Sequence, residues 1–282
     1  MGTKLLALLD GTLADPALPI VRADDEGVTR GDGIFEALLV VDAQPRDLDA
    51  HLARFAVSAD KLELPAPDEA GFRRATDALL EAWNWKADRE AVLRFFWTRG
   101  PEGTSEPNAW AIIAPLDEAL RRQRSAGVRV MLLDRGFEPV PVENQPWLLP
   151  GAKSLSYAVN MAAKRYARER GAEDVVFYSP SGRLLEGPTC SVVLDIDGVL
   201  HTPPFEAILR SITVQTLFQQ APAEGLDVQF SVLDRSDFER CRGAWLLSST
   251  RVLTRITHVD GHPLPASLLD STLKRMLGVP SR

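Results

Sequence analysis

Leu149-Pro150-Gly151-Ala152-Lys153-Ser154-Leu155-Ser156-Tyr157 contains the residue on which the reading of this chain turns. Lysine is scarce: the others are Lys4, Lys61, Lys86, Lys164 and Lys274, in ordinary polar surroundings, and arginine is used wherever only positive charge is needed. After the Pro-Gly turn the spacing predicts a helix starting at Lys153 and running through Leu155, Val159, Ala162, Ala163 and Tyr166 to a stop at Gly171. A lysine near a helix start is most often merely solvated. An amine, however, can have its pKa lowered by its surroundings, which a guanidinium resists. A carboxylate follows in Arg183-Leu184-Leu185-Glu186-Gly187-Pro188-Thr189, between two strand signals. A lysine that forms a Schiff base and a carboxylate that keeps a pyridine nitrogen protonated are the two protein groups that pyridoxal phosphate chemistry requires.

The size of the chain, 282 residues, favours two domains, either able to bury a core. A formal charge of −7, with 32 basic against 39 acidic residues, argues against a nucleic-acid surface. The run Arg121-Arg122-Gln123-Arg124 reads as a solvated helix face. Cys190 and Cys241 match no metal or redox spacing, so no metal site is expected and both read as small core residues in a reducing, cytoplasmic compartment. The apolar run near the start is cut by Asp10 and reads as a first strand, not a signal peptide, and no membrane span is expected.

Strand signals at Leu5–Leu9, Ala37–Val41, Val92–Thr98 and Ala109–Ile113 enclose two helical repeats, Leu52, Phe55, Ala59, Leu62 and Phe72, Ala75, Leu79, Trp83. His51 and Arg54 fall off the apolar stripe of the first helix, which leaves their polar ends for another task. The pattern predicts a smaller N-terminal α/β domain over 1–115, a linker over 116–127 and a larger C-terminal domain over 128–282. In the second domain a proline-rich loop, Glu138–Pro150, precedes the Lys153 helix. Strands are then expected at Val175–Tyr178, Cys190–Ile196 and Val199–His201. A helix begins near Ser211-Ile212-Thr213; its start either binds a phosphate through backbone N–H groups or is closed by its own hydroxyl cap. Ser248-Ser249-Thr250-Arg251 ends a strand in a hydroxyl cluster that is a second phosphate loop or an ordinary turn.

Gly31-Asp32-Gly33-Ile34-Phe35-Glu36, His51-Leu52-Ala53-Arg54-Phe55, Lys153-Ser154-Leu155-Ser156-Tyr157, Glu186-Gly187-Pro188-Thr189-Cys190-Ser191 and Ser248-Ser249-Thr250 occur in the order and spacing of the class IV aminotransferases, which the chain resembles over nearly its whole length. The resemblance implies an α+β, or α/β, two-domain fold-type IV enzyme of the D-amino-acid aminotransferase kind, with pyridoxal 5′-phosphate between the domains and a homodimeric assembly. It makes Lys153 the Schiff-base lysine and Glu186 the partner of the pyridine nitrogen. It makes Arg54 a phosphate ligand, together with Ile212, Thr213, Ser249 and Thr250. Tyr157 is left to bond the cofactor's phenolic oxygen or to pack, and Arg99 and Arg251 are the candidates for substrate carboxylates. Three positions depart from the family pattern: Ser211 stands where glycine is frequent, Val214 where arginine is, and Ser191 where asparagine is.

Within the family, Thr98-Arg99-Gly100 is present, but the Arg-x-His pair that traps carboxylates in D-amino-acid aminotransferases does not follow it. The Lys153 and Glu186 segments look most like those of 4-amino-4-deoxychorismate lyases, which implies release of 4-aminobenzoate and pyruvate from a small amino-acid-like substrate in folate-precursor synthesis. The alternatives are an aminotransferase for branched-chain or D-amino acids and, from another class, a catalytically silent protein that still binds the cofactor.

Overall fold

Side chains alternate between the two faces of a strand, and in the first half of the chain that alternation separates an apolar face from a mixed one. The computed structural model describes residues 4–104, 106–139, 144–206 and 208–280. They form two compact units: one spans the chain up to Asp117 and takes in Ala152–Tyr157, and the other comprises Glu118–Gly151 and the residues from Ala158 onward. The first holds β1 (Leu5–Ala7), β2 (Leu13–Ala14), α1 (Glu26–Thr29), β3 (Gly33–Val41), β4 (Gln44–Pro45), α2 (Leu48–Lys61), α3 (Glu69–Ala82), β5 (Glu90–Thr98) and β6 (Asn108–Pro115). Its six strands form an antiparallel sheet in the order β2-β1-β6-β5-β3-β4. Helices α2 and α3 bury one face of it, and Phe55, Phe72, Phe95 and Trp97 pack ring against ring between them. Asp68 starts α3 by accepting the Gly71 N–H at 2.9 Å.

The second unit holds α4 (Glu118–Ala126), β7 (Val128–Asp134), α5 (Ala158–Glu169), β8 (Asp174–Tyr178), β9 (Ser191–Ile196), β10 (Val199–Thr202), α6 (Ile212–Gln220), β11 (Asp227–Phe230), α7 (Asp237–Arg240), β12 (Gly243–Ser248), β13 (Val252–Val259), β14 (His262–Pro263) and α8 (Asp270–Met276). The path β11-β10-β9-β12-β13-β7-β8 makes a mixed sheet, with β14 on β13. Every residue of β9 is buried, as befits a strand covered on both faces. On one face Val176, Val192, Leu194, Leu246 and Ile256 cluster; on the other Val175 and Phe177 meet Ala163 and Ala167 of α5. The stretch 116–127, expected as a linker, is largely α4, which packs on β13. Of the expected loop Glu138–Pro150, residues 140–143 lie outside those described.

One expectation is corrected. Helix α5 begins at Ala158, not at Lys153. The backbone from Lys153 to Leu155 is extended because β3 has captured it: the Phe35 N–H donates to Lys153 O at 3.0 Å, the Leu155 N–H donates to Gly33 O at 2.8 Å, and Ile34 bridges Ser154. The Lys153 N–H also donates to Ser58 Oγ of α2 at 3.2 Å, and Ser156 Oγ to Gly31 O at 3.2 Å. The Gly31-Asp32-Gly33 motif is what admits this segment. Gly31 has φ +74°, and a Cβ there would lie 2.8 Å from Ser156 Oγ; a Cβ on Gly33 would lie 2.8 Å from Leu155 Cδ1 and 2.9 Å from both Thr98 Cα and Trp97 O. Among the described residues no helix is long and apolar enough to cross a membrane, and no His, Cys, Asp or Glu group could hold a metal.

Gly33→Ala is therefore expected to destabilise the protein by about 1–3 kcal/mol through overpacking of the Lys153 segment, as read from urea unfolding. Unchanged stability would show that Leu155 is free to move aside.

Candidate active site

Antiparallel pairing places Lys153 directly opposite Phe35, so both side chains lie on the sheet face away from α2 and α3. The Lys153 Nζ is 4.5 Å from the centre of the Phe35 ring and 5.9 Å from that of Tyr157. The two rings meet edge-on at 5.0 Å. The amine thus lies near two aromatic rings, a position that favours a cation.

Behind this face, Glu36 is fully buried. Its carboxylate receives Arg54 Nε on Oε1 at 2.7 Å and Arg54 Nη2 on Oε2 at 2.8 Å, and it also meets His51 Nδ1 at 2.7 Å. A carboxylate only accepts, so Nδ1 carries the proton; His51 Nε2 is buried with no partner among the described residues. Burial by itself would raise the Glu36 pKa, but the Arg54 charge and the hydrogen bonds from His51 and Arg54 outweigh it and hold the carboxyl well below the usual carboxylate range. The residues that the helical pattern left off the apolar stripe of α2 are therefore joined through Glu36, whose position in the sequence motif gave no sign of that role.

In the second unit Glu186 is partly buried and accepts the Leu209 N–H at 3.2 Å. Helix α6 opens with Ser211 as cap, its Oγ accepting the Val214 N–H at 3.3 Å. The cap satisfies that N–H alone; the N–H groups of Ile212 and Thr213, at the first two helical positions, have no partner within the helix. Both the cap and the free helix start thus coexist. The turn Ser248–Arg251 between β12 and β13 is partly exposed at Ser249 and Thr250 and is fixed from beneath. Arg124 Nη2 donates to Thr250 O at 2.9 Å and its Nε to Arg251 O at 3.0 Å, and the Arg251 N–H donates to Ser248 Oγ at 3.2 Å. Val252 closes the turn at φ +67°, a strain of about 1–3 kcal/mol for a β-branched residue that the surrounding bonds sustain.

Each arginine expected to receive a substrate carboxylate already holds a carboxylate of the chain. Arg251 is buried and donates through Nη2 to the buried Asp174, which also faces Lys164 Nζ at 3.5 Å. Burial would raise the Asp174 pKa, yet the charges of Arg251 and Lys164 bring it below its ordinary value. Arg99 is engaged by Asp32 at 2.7 Å and by the carbonyl of Leu62 at 2.7 Å. Local sequence gave no sign of either pairing, since Asp32 and Asp174 are far from their arginines along the chain. Cys190 is inert in this setting: burial pushes its thiol up to about 12.

Residues 33–259 match the family model for class IV aminotransferases. The chain is 39% identical over 269 residues, 93% of each sequence, to a bifunctional aminodeoxychorismate lyase / D-amino acid transaminase of Mycobacterium tuberculosis. The structure of a hypothetical aminotransferase from that organism in its PLP-bound form superposes with a TM-score of 0.93 at 39% identity, covering 98% of this chain and 97% of the other. A fold IV transaminase from Curtobacterium pusillum superposes with a TM-score of 0.92 at 37% identity, covering 99% and 100%.

Glu36→Gln is expected to cost about 3–5 kcal/mol by leaving Arg54 without its counter-charge. Since the folded-state pKa values of Glu36 and Asp174 lie below their unfolded values, the stability they contribute is complete above the ordinary carboxylate range of about 4 and is lost as pH falls below it. The gap between the urea midpoints of wild type and Glu36→Gln should narrow progressively as pH falls below about 4; a constant gap between them would contradict the assignment.

Proposed function

Since the chain belongs to the class IV aminotransferases, we propose that it binds pyridoxal 5′-phosphate and acts as an aminodeoxychorismate lyase, releasing 4-aminobenzoate and pyruvate. The observation that carries the cofactor assignment is the capture of Lys153 by β3, which sets its amine over Phe35 on a rigid element. Each unit also offers groups of the kinds that this cofactor would take. Arg54 supplies charge for a phosphate, and Ile212 and Thr213 supply backbone N–H groups at a helix start. Ser249 and Thr250 add hydroxyls on a turn that Arg124 clamps. Glu186 would supply the carboxylate for a ring nitrogen, and Tyr157, whose ring lies near the Lys153 amine, a hydroxyl for a ring oxygen.

When bound, the cofactor supplies an electron sink for the carbon that bears the substrate amine. Lys153 removes the proton from that carbon as general base. Glu186 keeps the ring nitrogen protonated through its charge. Arg54, turned by Glu36 and His51, neutralises phosphate. In the lyase, loss of that proton is followed by cleavage of the ring carbon–oxygen bond to the enolpyruvyl group, and the leaving enolpyruvate takes up a proton to become pyruvate as the ring turns aromatic; in a transaminase Lys153 would instead give the proton back on the way to a keto acid.

Transamination of D-amino acids is a second reading, favoured by the double name of the Mycobacterium tuberculosis relative. The lack of an Arg-x-His pair after Gly100 places it second.

Borohydride reduction of the cofactor-loaded protein followed by peptide mapping should put the pyridoxyl label on Lys153, and a label on another lysine would remove the assignment. Aminodeoxychorismate in one assay and D-alanine with 2-oxoglutarate in another, at matched enzyme, should give faster 4-aminobenzoate release; transamination without 4-aminobenzoate would promote the second reading. Glu186→Gln should keep the cofactor bound yet slow turnover by about 100-fold, roughly 2.7 kcal/mol of barrier. A variant as fast as wild type would show that Glu186 does not serve the ring nitrogen.

A further inference from the structure

The extended backbone that carries Lys153 is anchored at two places far apart in the sequence, and both belong to the first unit. One is the Gly31-Asp32-Gly33 loop: Gly33 O accepts the Leu155 N–H at 2.8 Å, and Gly31 O accepts the Ser156 hydroxyl at 3.2 Å. The other is the last turn of α2, where Ser58 Oγ accepts the Lys153 N–H at 3.2 Å. That turn closes at Leu62, whose N–H donates to Ser58 O at 3.3 Å and to Ala59 O at 3.1 Å. The chain then leaves through Glu63 at φ +52°, a region in which a side chain is strained. A loop on one side and a strained helix end on the other must therefore be kept at a fixed separation if the Lys153 segment is to keep both anchors.

Arg99 meets both. The last rung of β5 on β3 pairs Thr98 with Gly33, and one step beyond it the Arg99 N–H donates to Asp32 O at 3.1 Å. The guanidinium then spans from the loop to the helix. Nε and Nη2 donate to the two carboxylate oxygens of Asp32 at 2.7 and 3.2 Å, Nη2 also donates to Leu62 O at 2.7 Å, and Nη1 donates to Glu63 O at 3.4 Å. Leu62 O is one of the carbonyls that a helix end leaves open, and the helix dipole favours a cation there. The Glu26 carboxylate lies 3.8 Å from Nε, and Glu26 O accepts the Asp32 N–H at 3.1 Å, so the loop is held from its other side as well. With 33% of its side chain in water, Arg99 contributes little net stability through these bonds. The planar fork nevertheless fixes the separation of its partners, which a flexible ammonium would not.

We infer that Arg99 is a positioning residue for Lys153. By fastening the Gly31-Asp32-Gly33 loop to the end of α2, it keeps the two backbone anchors of the Lys153 segment in register and so sets where the amine stands over Phe35. It acts through the backbone of that segment. Its donors are engaged by the chain itself, so losing Arg99 changes the rate at which the amine reacts and leaves the grip on a substrate carboxylate as it was. The catalytic consequence rests on the reading of Lys153 as the cofactor lysine. The anchoring stands on the backbone alone and is measurable in cofactor-free protein.

The test compares wild type with Arg99→Gln, Arg99→Lys and Asp32→Asn. In cofactor-free protein, hydrogen exchange over residues 152–157 should speed up by roughly 10- to 100-fold in Arg99→Gln, the range for losing a hydrogen bond to a charged group. Peptides from β9 and β12 should exchange as in wild type, and Arg99→Lys should recover part of the protection. In cofactor-loaded protein, kcat for aminodeoxychorismate or D-alanine, whichever turns over, should fall by roughly 10- to 100-fold, the cost of a misplaced reacting group. KM should stay within about twofold of wild type, since ground-state binding is untouched. Unchanged exchange over 152–157, or exchange that speeds up equally in every peptide, would overturn the inference. A raised KM with unchanged kcat would overturn it as well and would return Arg99 to the substrate carboxylate. If Arg99→Gln fails to fold, Arg99→Lys and Asp32→Asn, which each keep a polar partner, carry the same comparison. If a borohydride label falls on another lysine while exchange over 152–157 still depends on Arg99, the cofactor reading falls and the anchoring stands. If neither substrate turns over, the proposed reactions fall and the exchange result decides the inference.

Discussion

The capture of Lys153–Leu155 by the edge of β3 is the contact on which the candidate chemistry depends. It converts what would have been the frayed start of a helix into an added strand segment, tied by backbone hydrogen bonds at Gly33 and Phe35 and by Ser58 from α2. A side chain on a sheet is placed more tightly than one on a loop, and pairing dictates its face. The two glycines of Gly31-Asp32-Gly33 make this approach possible because any Cβ there would occupy the space taken by Ser156 and Leu155. Once Lys153 is in the sheet, Phe35, Phe96 and Trp110 become its row neighbours by register alone.

Electrostatics follows a similar design in each unit. A carboxylate removed from water, Glu36 in the first and Asp174 in the second, holds an arginine in one orientation. Such buried pairs add little net stability, since desolvation consumes most of the attraction. What they supply is position. Glu36 fixes both N–H edges of Arg54 that face it and is itself fixed by His51, so the remaining directions of the guanidinium are set before any anion arrives. Arg251 anchors its end of the Ser248–Arg251 turn to Asp174, while Arg124 secures the carbonyls of Thr250 and Arg251; together they sustain the strained Val252.

Much of this was legible in the sequence because short-range rules govern it. The strands alternate, α2 and α3 repeat at helical spacing, and the Lys153 and Glu186 segments carry local signatures. Where the helix starts was not legible: Leu155 falls in helical register with Val159 and Ala162, and only the distant edge of β3 overrides that spacing. The pairing of Arg251 was illegible for the same reason. Its fate is decided by Asp174, which lies 77 residues away. Ser211 offered two readings that proved compatible, since a hydroxyl cap satisfies the Val214 N–H and leaves earlier ones in place.

Arg94 and Arg99 show how strand geometry separates residues that composition treats alike. They lie on one stretch of chain, Arg94 within β5 and Arg99 just past its end. Beyond the last rung Arg99 turns to Asp32 and the carbonyl of Leu62, and its charge serves to join the end of β5 to the loop before β3. Arg94, held by the ladder between Ala37 and Ile112, has no such freedom and no carboxylate within its row. A strand interior is a poor place for an unpaired cation on grounds of stability, and an exposed arginine near a carboxylate is an easy one. Register alone therefore sets one arginine of this strand into a paired position and leaves its neighbour inside the ladder.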